Sequence, residues 1–209
     1  MNYSKDSIIN ELIQIGKRLG LKNYTPGYSG NLSARYNDSI IITTSGSSNG
    51  YLSKNDLVEM DFNAKSLEDG KKPSSEKFLH VEFYKKRPDI NYIIHVHCAG
   101  LSAFAAANKD LMPPYMAENV FYFGGIPLAK YAMPSSEELV KNTAVFFDKY
   151  DAILMANHGV IIGSATLEDA YQKLEIAEEY AKTVIFARML GGAVALSEEE
   201  TNKVLALRN

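Results

Sequence analysis

The segment 91–97, NYIIHVH, limits the possible folds more than any other part of the chain. It is β-branched and aromatic and contains no Asp, Glu, Lys or Arg, so it is expected to be a buried strand, which needs a sheet around it. Two of the chain's four histidines, His95 and His97, end this strand. Alternate residues of a strand share a face, so the two imidazoles project together while Val96 points the other way. Leaving both rings unpaired in an apolar layer would be costly. Either they hold one metal ion between them, or they stand as separate core or surface histidines.

The flanking sequence supplies the rest of a layered molecule. Ser4 caps an amphipathic helix in which Ile8, Ile9, Leu12, Ile13, Gly16 and Leu19 recur at helical spacing, ending at Gly20. Strands are expected at 32–36 and 40–43, joined by the turn YND, and at 57–62, followed by a hairpin turn near Asp69 and Gly70. Pro73 and a serine cap open a helix with Phe78, Leu79 and Phe83 facing inward. A short helix follows 97, and 126–131 reads as a strand. Ser135 with Glu138 forms a capping box for a helix reaching Lys149. Strands at 152–155 and 160–162 flank a turn, and Thr166 with Asp169 opens the longest helix, ending near Leu190. Ser197 with Glu200 opens a terminal helix. Helices and strands intermingle without repeats or linkers. The expected architecture is a single α/β domain over 1–209, layered around a mixed sheet.

Bulk properties exclude several classes of function. A net charge of −3 gives no field for a nucleic acid or another polyanion, so any anion site must be local. The single cysteine, Cys98, forbids an internal disulfide and suits a reducing compartment. The first residues lack the apolar core of a signal peptide, and no stretch is apolar enough for a membrane span. A cytoplasmic protein is expected.

Three further groups of residues point to chemistry. His158 lies in NHG directly after the apolar run AILMA, and loops at strand ends commonly carry ligands. Added to His95 and His97 it would complete a three-imidazole set, the donor pattern of catalytic zinc; otherwise it is a turn histidine. Gly159 would let the chain turn sharply beside it. Glu76, in the first turn of its helix, is either a general acid/base near the metal or a carboxylate favoured there by the helix dipole. His80, four residues on, reads as a structural histidine behind the site, with a ligand role left open. The segments SGN (29–31), SGSS (45–48) and PSSE (73–76) offer hydroxyls and backbone N–H groups suited to a phosphate, though each alone is an ordinary turn or cap.

The ordered set GYSGNLSAR, IITTSG, KPSSEKFLH, YIIHVHCAG and ILMANHGVIIG resembles the class II aldolase/adducin family across about residues 5–190, above all its L-fuculose-1-phosphate aldolase branch. The resemblance implies a three-layer α/β/α fold on a mixed, mostly antiparallel sheet. It implies homotetramers with active sites at subunit interfaces. It implies zinc, one ion per subunit with manganese or cobalt as alternatives, held by His95, His97 and His158, and by Glu76 when substrate is absent. Glu76 would be the catalytic acid/base. Gly30, Asn31, Ser45, Gly46, Ser74 and Ser75 would cradle the phosphate of a sugar phosphate. Tyr115 would reach a neighbouring subunit's site as a proton donor, although the segment 112–127 departs from the aldolase pattern. The implied reaction is reversible cleavage of a ketose 1-phosphate to dihydroxyacetone phosphate and an aldehyde. Related 4-epimerases carry Asp in place of Glu76. The 3-oxo-tetronate 4-phosphate decarboxylases tend to carry Lys in place of Ser75. A methylthioribulose-phosphate dehydratase is a further alternative. Adducin-like binding modules lack the histidines. A non-haem iron oxygenase would need two histidines and one carboxylate, and His158 argues for zinc instead.

Overall fold

The computed structural model describes residues 4–208. Seven strands form one sheet: β1 (Asn31–Tyr36), β2 (Ser39–Thr43), β3 (Leu57–Asp61), β4 (Tyr92–Val96), β5 (Leu128–Ala129), β6 (Ala152–Met155) and β7 (Gly159–Ser164). Their order is β3-β2-β1-β4-β7-β6-β5. Every pairing is antiparallel except β5 with β6, so the sheet is mixed and mostly antiparallel, as expected. The strand read from NYIIHVH is β4, fourth of the seven, hydrogen-bonded to β1 and β7.

Among the described residues there are seven α-helices: α1 (Lys5–Leu21), α2 (Lys77–Lys86), α3 (Ala99–Ala106), α4 (Ala117–Phe123), α5 (Glu137–Ala144), α6 (Leu167–Met189) and α7 (Glu198–Leu205), the last packed on α4 rather than on the sheet. Strand side chains alternate between two apolar layers. Leu32, Ile94, Val96, Leu154 and Ile162 pack with α1, α3 and α6, whereas Ile42, Ile93, Ile153 and Ile161 pack with α2 and α5. Both sheet faces are buried, which explains why β4 and β7 read as nearly continuous apolar runs. No helix among the described residues is long and apolar enough to cross a membrane.

The caps largely follow the sequence. Ser4 accepts from the Ser7 amide, Thr166 from Asp169, and Ser197 forms a reciprocal box with Glu200. Six expectations need correction. No serine caps α2: its cap position is Glu76, and the Ser74 hydroxyl accepts from the Glu76 amide ahead of the helix. The cap of α5 is Ser136, which accepts from Leu139 N, while Ser135 sits at φ 67° before the helix. That helix ends at Ala144, short of Lys149. The hairpin turn directly after β3 lies at Ala64, φ 63°, where Asp61 accepts from the following amides; the turn expected at Asp69 and Gly70 is present, with Gly70 at φ 74°, but follows the returning segment. Phe78 is 51% exposed, because the buried stripe of α2 runs through Leu79, His80, Phe83 and Tyr84. The strand expected at 126–131 is reduced to two residues, with Ile126 bridged to Leu111.

Candidate metal centre

One end of the sheet collects the chemistry. Asn31 starts β1, Thr43 ends β2, His95 stands one residue before the end of β4, and His158 sits between β6 and β7. The β1–β4 register places Asn31 opposite His95, and His95 opposite Ile161 of β7. His95 shares the face of Ile93, towards α2. His97 follows the strand, its amide bonded to the Tyr24 carbonyl. The hairpin from β6 to β7 turns through Asn157, φ 55°, and a Met155 carbonyl bond to His158 N.

The glycine in NHG has a different role from the one expected. Asn157 takes the left-handed conformation and Gly159 is the first residue of β7. A Cβ on Gly159 would lie 2.5 Å from the Val96 carbonyl oxygen and 2.6 Å from His97 Cδ2. Glycine there lets β7 approach close enough to bring His158 to the other two rings. Gly30 combines both demands: its φ is 75°, and a Cβ would stand 2.3 Å from the His95 carbonyl oxygen.

The three imidazoles converge. Their centroids are 4.8, 4.8 and 5.0 Å apart, and one nitrogen of each lies within 4.8 Å of the others. His95 Nδ1–H donates to the Val160 carbonyl at 2.9 Å, which directs Nε2 to the centre, 3.0 Å from His97 Nε2. Such a backbone bond is how a ligating ring is commonly held in one tautomer. Glu76 completes the group, Oε2 at 3.1 Å from His95 Nε2 and Oε1 at 3.3 Å from His158 Nε2. It occupies the cap position of α2 but caps nothing; its side chain turns into the centre.

Electrostatics prepare these groups. Burial, followed by the neighbouring rings, pushes His97 down to about 3 and His158, beside His95, down to about 4, so both are neutral at pH 7. Burial would also lower His95, but the Glu76 charge and hydrogen bond and the Val160 carbonyl outweigh it and raise its pKa. For Glu76, burial works upward, yet His95, His158 and Asn31 hold the carboxyl well below the usual range. The lone pairs of the two neutral rings and the Glu76 charge thus face one small volume beside His95. Glu76 Oε1 accepts no hydrogen bond among the described residues, although it is buried. The donor set therefore fits a divalent cation.

The segments expected to hold a phosphate lie alongside. Thr44 bridges to Pro73, Ser45 N donates to the Lys72 carbonyl, and Ser74 N to that of Thr43, so 43–46 and 72–75 run side by side and lead into Glu76. Among the described residues the amides of Gly46 and Ser75 donate no hydrogen bond, leaving free donors at this edge. The Asn31 carboxamide is engaged at both ends, donating to Glu76 Oε2 at 2.9 Å and accepting from His80 Nε2. Tyr115 is not brought to the histidines within the chain. It packs partly buried against the layer of α1, α3 and α6, its amide near the Tyr180 hydroxyl. Cys98 is buried in that same layer, facing away from the rings, and burial pushes its thiol up.

His80 ligates nothing, since both its nitrogens are bonded, to Asn31 and to Ser33. The sequence reading passed over Ser33 and Tyr84, which join it. A signal was present: Glu76, His80 and Tyr84 recur every four residues, a polar stripe on the buried face of α2.

Comparison with known proteins agrees with this architecture. The family described as Class II Aldolase and Adducin N-terminal domain matches residues 10–185, and the chain belongs to that family. An L-fuculose phosphate aldolase of Methanocaldococcus jannaschii is 36% identical over 177 residues, covering 84% of this chain and 94% of that protein. A 3-oxo-tetronate 4-phosphate decarboxylase of Haemophilus influenzae is 32% identical over 176 residues, covering 82% and 83%. A solved L-fuculose 1-phosphate aldolase superposes with a TM-score of 0.91 at 32% identity, covering 98% of this chain and 97% of that one.

Proposed function

We propose that the protein is a metal-dependent aldolase that reversibly cleaves a ketose 1-phosphate to dihydroxyacetone phosphate and an aldehyde. The observation that carries this reading is a single buried carboxylate, Glu76, within 3.3 Å of two of three convergent imidazoles. His95, His97 and His158 would hold the ion, zinc in the first instance and manganese or cobalt as alternatives. When bound, a divalent cation supplies a Lewis acid that polarises a carbonyl oxygen. Glu76 is the acid/base: in the condensation direction its ionised carboxylate takes the proton that C3 of the three-carbon fragment gives up, while the Tyr115 hydroxyl of a neighbouring subunit gives its proton to the oxygen at C4. Cleavage runs both transfers in reverse, and one proton exchanged with solvent between Glu76 and Tyr115 resets the pair after each turnover. Gly30, Asn31, Ser45, Gly46, Ser74 and Ser75 form the edge that receives the phosphate, the open amides of Gly46 and Ser75 supporting that assignment. The working form is a cytoplasmic homotetramer.

The decarboxylase reading has one specific support, the similarity to the Haemophilus influenzae protein. Ser75 speaks against it, because a hydroxyl gives a substrate carboxylate no cation. The test is a panel of phosphorylated sugars and sugar acids offered to zinc-loaded protein. Release of dihydroxyacetone phosphate from a ketose 1-phosphate is the expected result. Release of CO₂ from 3-oxo-tetronate 4-phosphate, with no aldol cleavage of any ketose 1-phosphate, would replace this reading with the decarboxylase.

A further inference from the structure

Glu76 is the end of a chain of buried polar groups that runs from the centre into the core. Asn31 Nδ2 donates to Glu76 at 2.9 Å, His80 Nε2 meets Asn31 Oδ1, Ser33 Oγ lies 2.6 Å from His80 Nδ1, and Tyr84 OH lies 2.8 Å from Ser33 Oγ. All five side chains are buried. They come from β1 and from α2 and its cap, held together by the packing of this helix on the sheet.

The direction of each bond follows from the carboxylate end. An ionised carboxylate only accepts, so Asn31 must present its NH₂ group to Glu76 and its oxygen to His80. That oxygen requires a proton on His80 Nε2. Burial pushes His80 down to about 3, so the ring is neutral and Nδ1 is a bare acceptor. Ser33 then donates to Nδ1, and its oxygen accepts from Tyr84. The alternative acceptor for Tyr84, the Asn91 carbonyl, is more distant at 3.4 Å. Asn31, His80 and Ser33 each have one orientation that satisfies both neighbours, and reversing any of these three breaks two bonds.

We propose that His80 is a positioning residue: it fixes the orientation of the Asn31 carboxamide, and through it the aim of the Glu76 carboxylate at the reacting carbon. This rests on Glu76 being the acid/base of the aldolase reading. A carboxamide is nearly symmetric in shape, so packing alone discriminates poorly between its two flipped orientations. With a ring N–H at one end, only the orientation with the NH₂ group toward Glu76 is allowed. Without it, the flipped amide would turn its oxygen on the carboxylate and repel it.

The test compares His80→Leu, which has no donor, with His80→Gln, which keeps an N–H for Asn31 and an oxygen for Ser33. Two quantities are read: hydrogen exchange of the Asn31 side-chain amide by NMR in metal-free protein, and kcat and KM for a ketose 1-phosphate in zinc-loaded protein. In the leucine variant the amide is expected to lose its protection, and kcat to fall about 10- to 100-fold with KM within about threefold. The glutamine variant restores both. Should His80→Leu fail to fold, Ser33→Ala, which removes the donor that selects the His80 tautomer, is expected to give a milder loss of the same two quantities. Equal losses in the leucine and glutamine variants would reduce His80 to packing, and a protected amide with full kcat in His80→Leu would also overturn the proposal. If the wild type cleaves no ketose 1-phosphate, the aldolase reading fails by itself and the Asn31 exchange decides the role of His80.

Discussion

Gly159 shows how a residue with no functional group can decide a site. The backbones of β4 and β7 approach so closely that a methyl group would collide with the Val96 carbonyl and the His97 ring. Gly159→Ala is expected to push His97 and His158 apart and weaken zinc binding by roughly 10- to 100-fold, the scale seen when the supports of metal ligands are disturbed. Competition with a zinc chelator reads this directly, and unchanged affinity would contradict it. His80 has a consequence of its own for stability. Its folded pKa, about 3, lies below that of a free histidine, about 6.5. As pH falls through that interval the unfolded chain binds the extra proton first, so the stabilisation present at neutral pH is lost between those values. The wild type should lose up to about 1.4 kcal/mol per pH unit more than His80→Gln below pH ~6 in urea unfolding. Parallel curves for the two proteins would show that His80 protonates freely in the fold. The histidine pair was legible because strand alternation is a local rule. The contacts of Asn31 with Glu76 and of His80 with Ser33 were not, since they join residues 45 and 47 positions apart and depend on how α2 packs against β1.

At the scale of elements, α6 stabilises the start of α3, the helix that follows His97. Glu178 of α6 is 1% exposed and accepts from the Gly100 and Leu101 amides at 2.8 and 2.9 Å. These are among the unpaired donors of a helix start, and a carboxylate there is also favoured by the helix dipole. Glu178→Ala should cost roughly 3 kcal/mol, because two buried amides lose their acceptor. A denaturation midpoint close to the wild type's would rule this out. Elements with strong local signals could be read from sequence: β4 from its β-branched run, α1 and α6 from caps and periodicity. α4 went unread, since MAENVFYFG follows two prolines and is only two turns long, held between α6 and α7 rather than by its own pattern. The shift of the α5 cap by one residue has a similar origin. Both Ser135 and Ser136 are competent caps, and only the preceding backbone, with Ser135 at φ 67°, selects the second.

At the scale of the whole molecule, the role proposed for Tyr115 raises a question of place. Within one chain it stands on the layer of α1, α3 and α6, while Glu76 stands at the opposite layer. The proposed tetramer reconciles the two by lending Tyr115 to a neighbouring site. Glu76→Gln and Tyr115→Phe should then each be nearly inactive alone, whereas subunits of the two variants mixed and reassembled should regain part of the activity, because some interfaces pair an intact Glu76 with an intact Tyr115. No recovery from verified mixed oligomers would remove Tyr115 from the site. The layered fold was legible in outline because helices and strands alternate with the right periodicities. The proposed tetramer rests only on the family resemblance.

The most direct test of the central claim measures bound metal and product together in wild type and Glu76→Gln. Both proteins should carry about one zinc ion per chain, held by the three imidazoles. Release of dihydroxyacetone phosphate from the ketose 1-phosphate should fall about 10²- to 10⁴-fold in the variant, the usual weight of acid–base catalysis. Full turnover in a zinc-loaded Glu76→Gln protein would contradict the account.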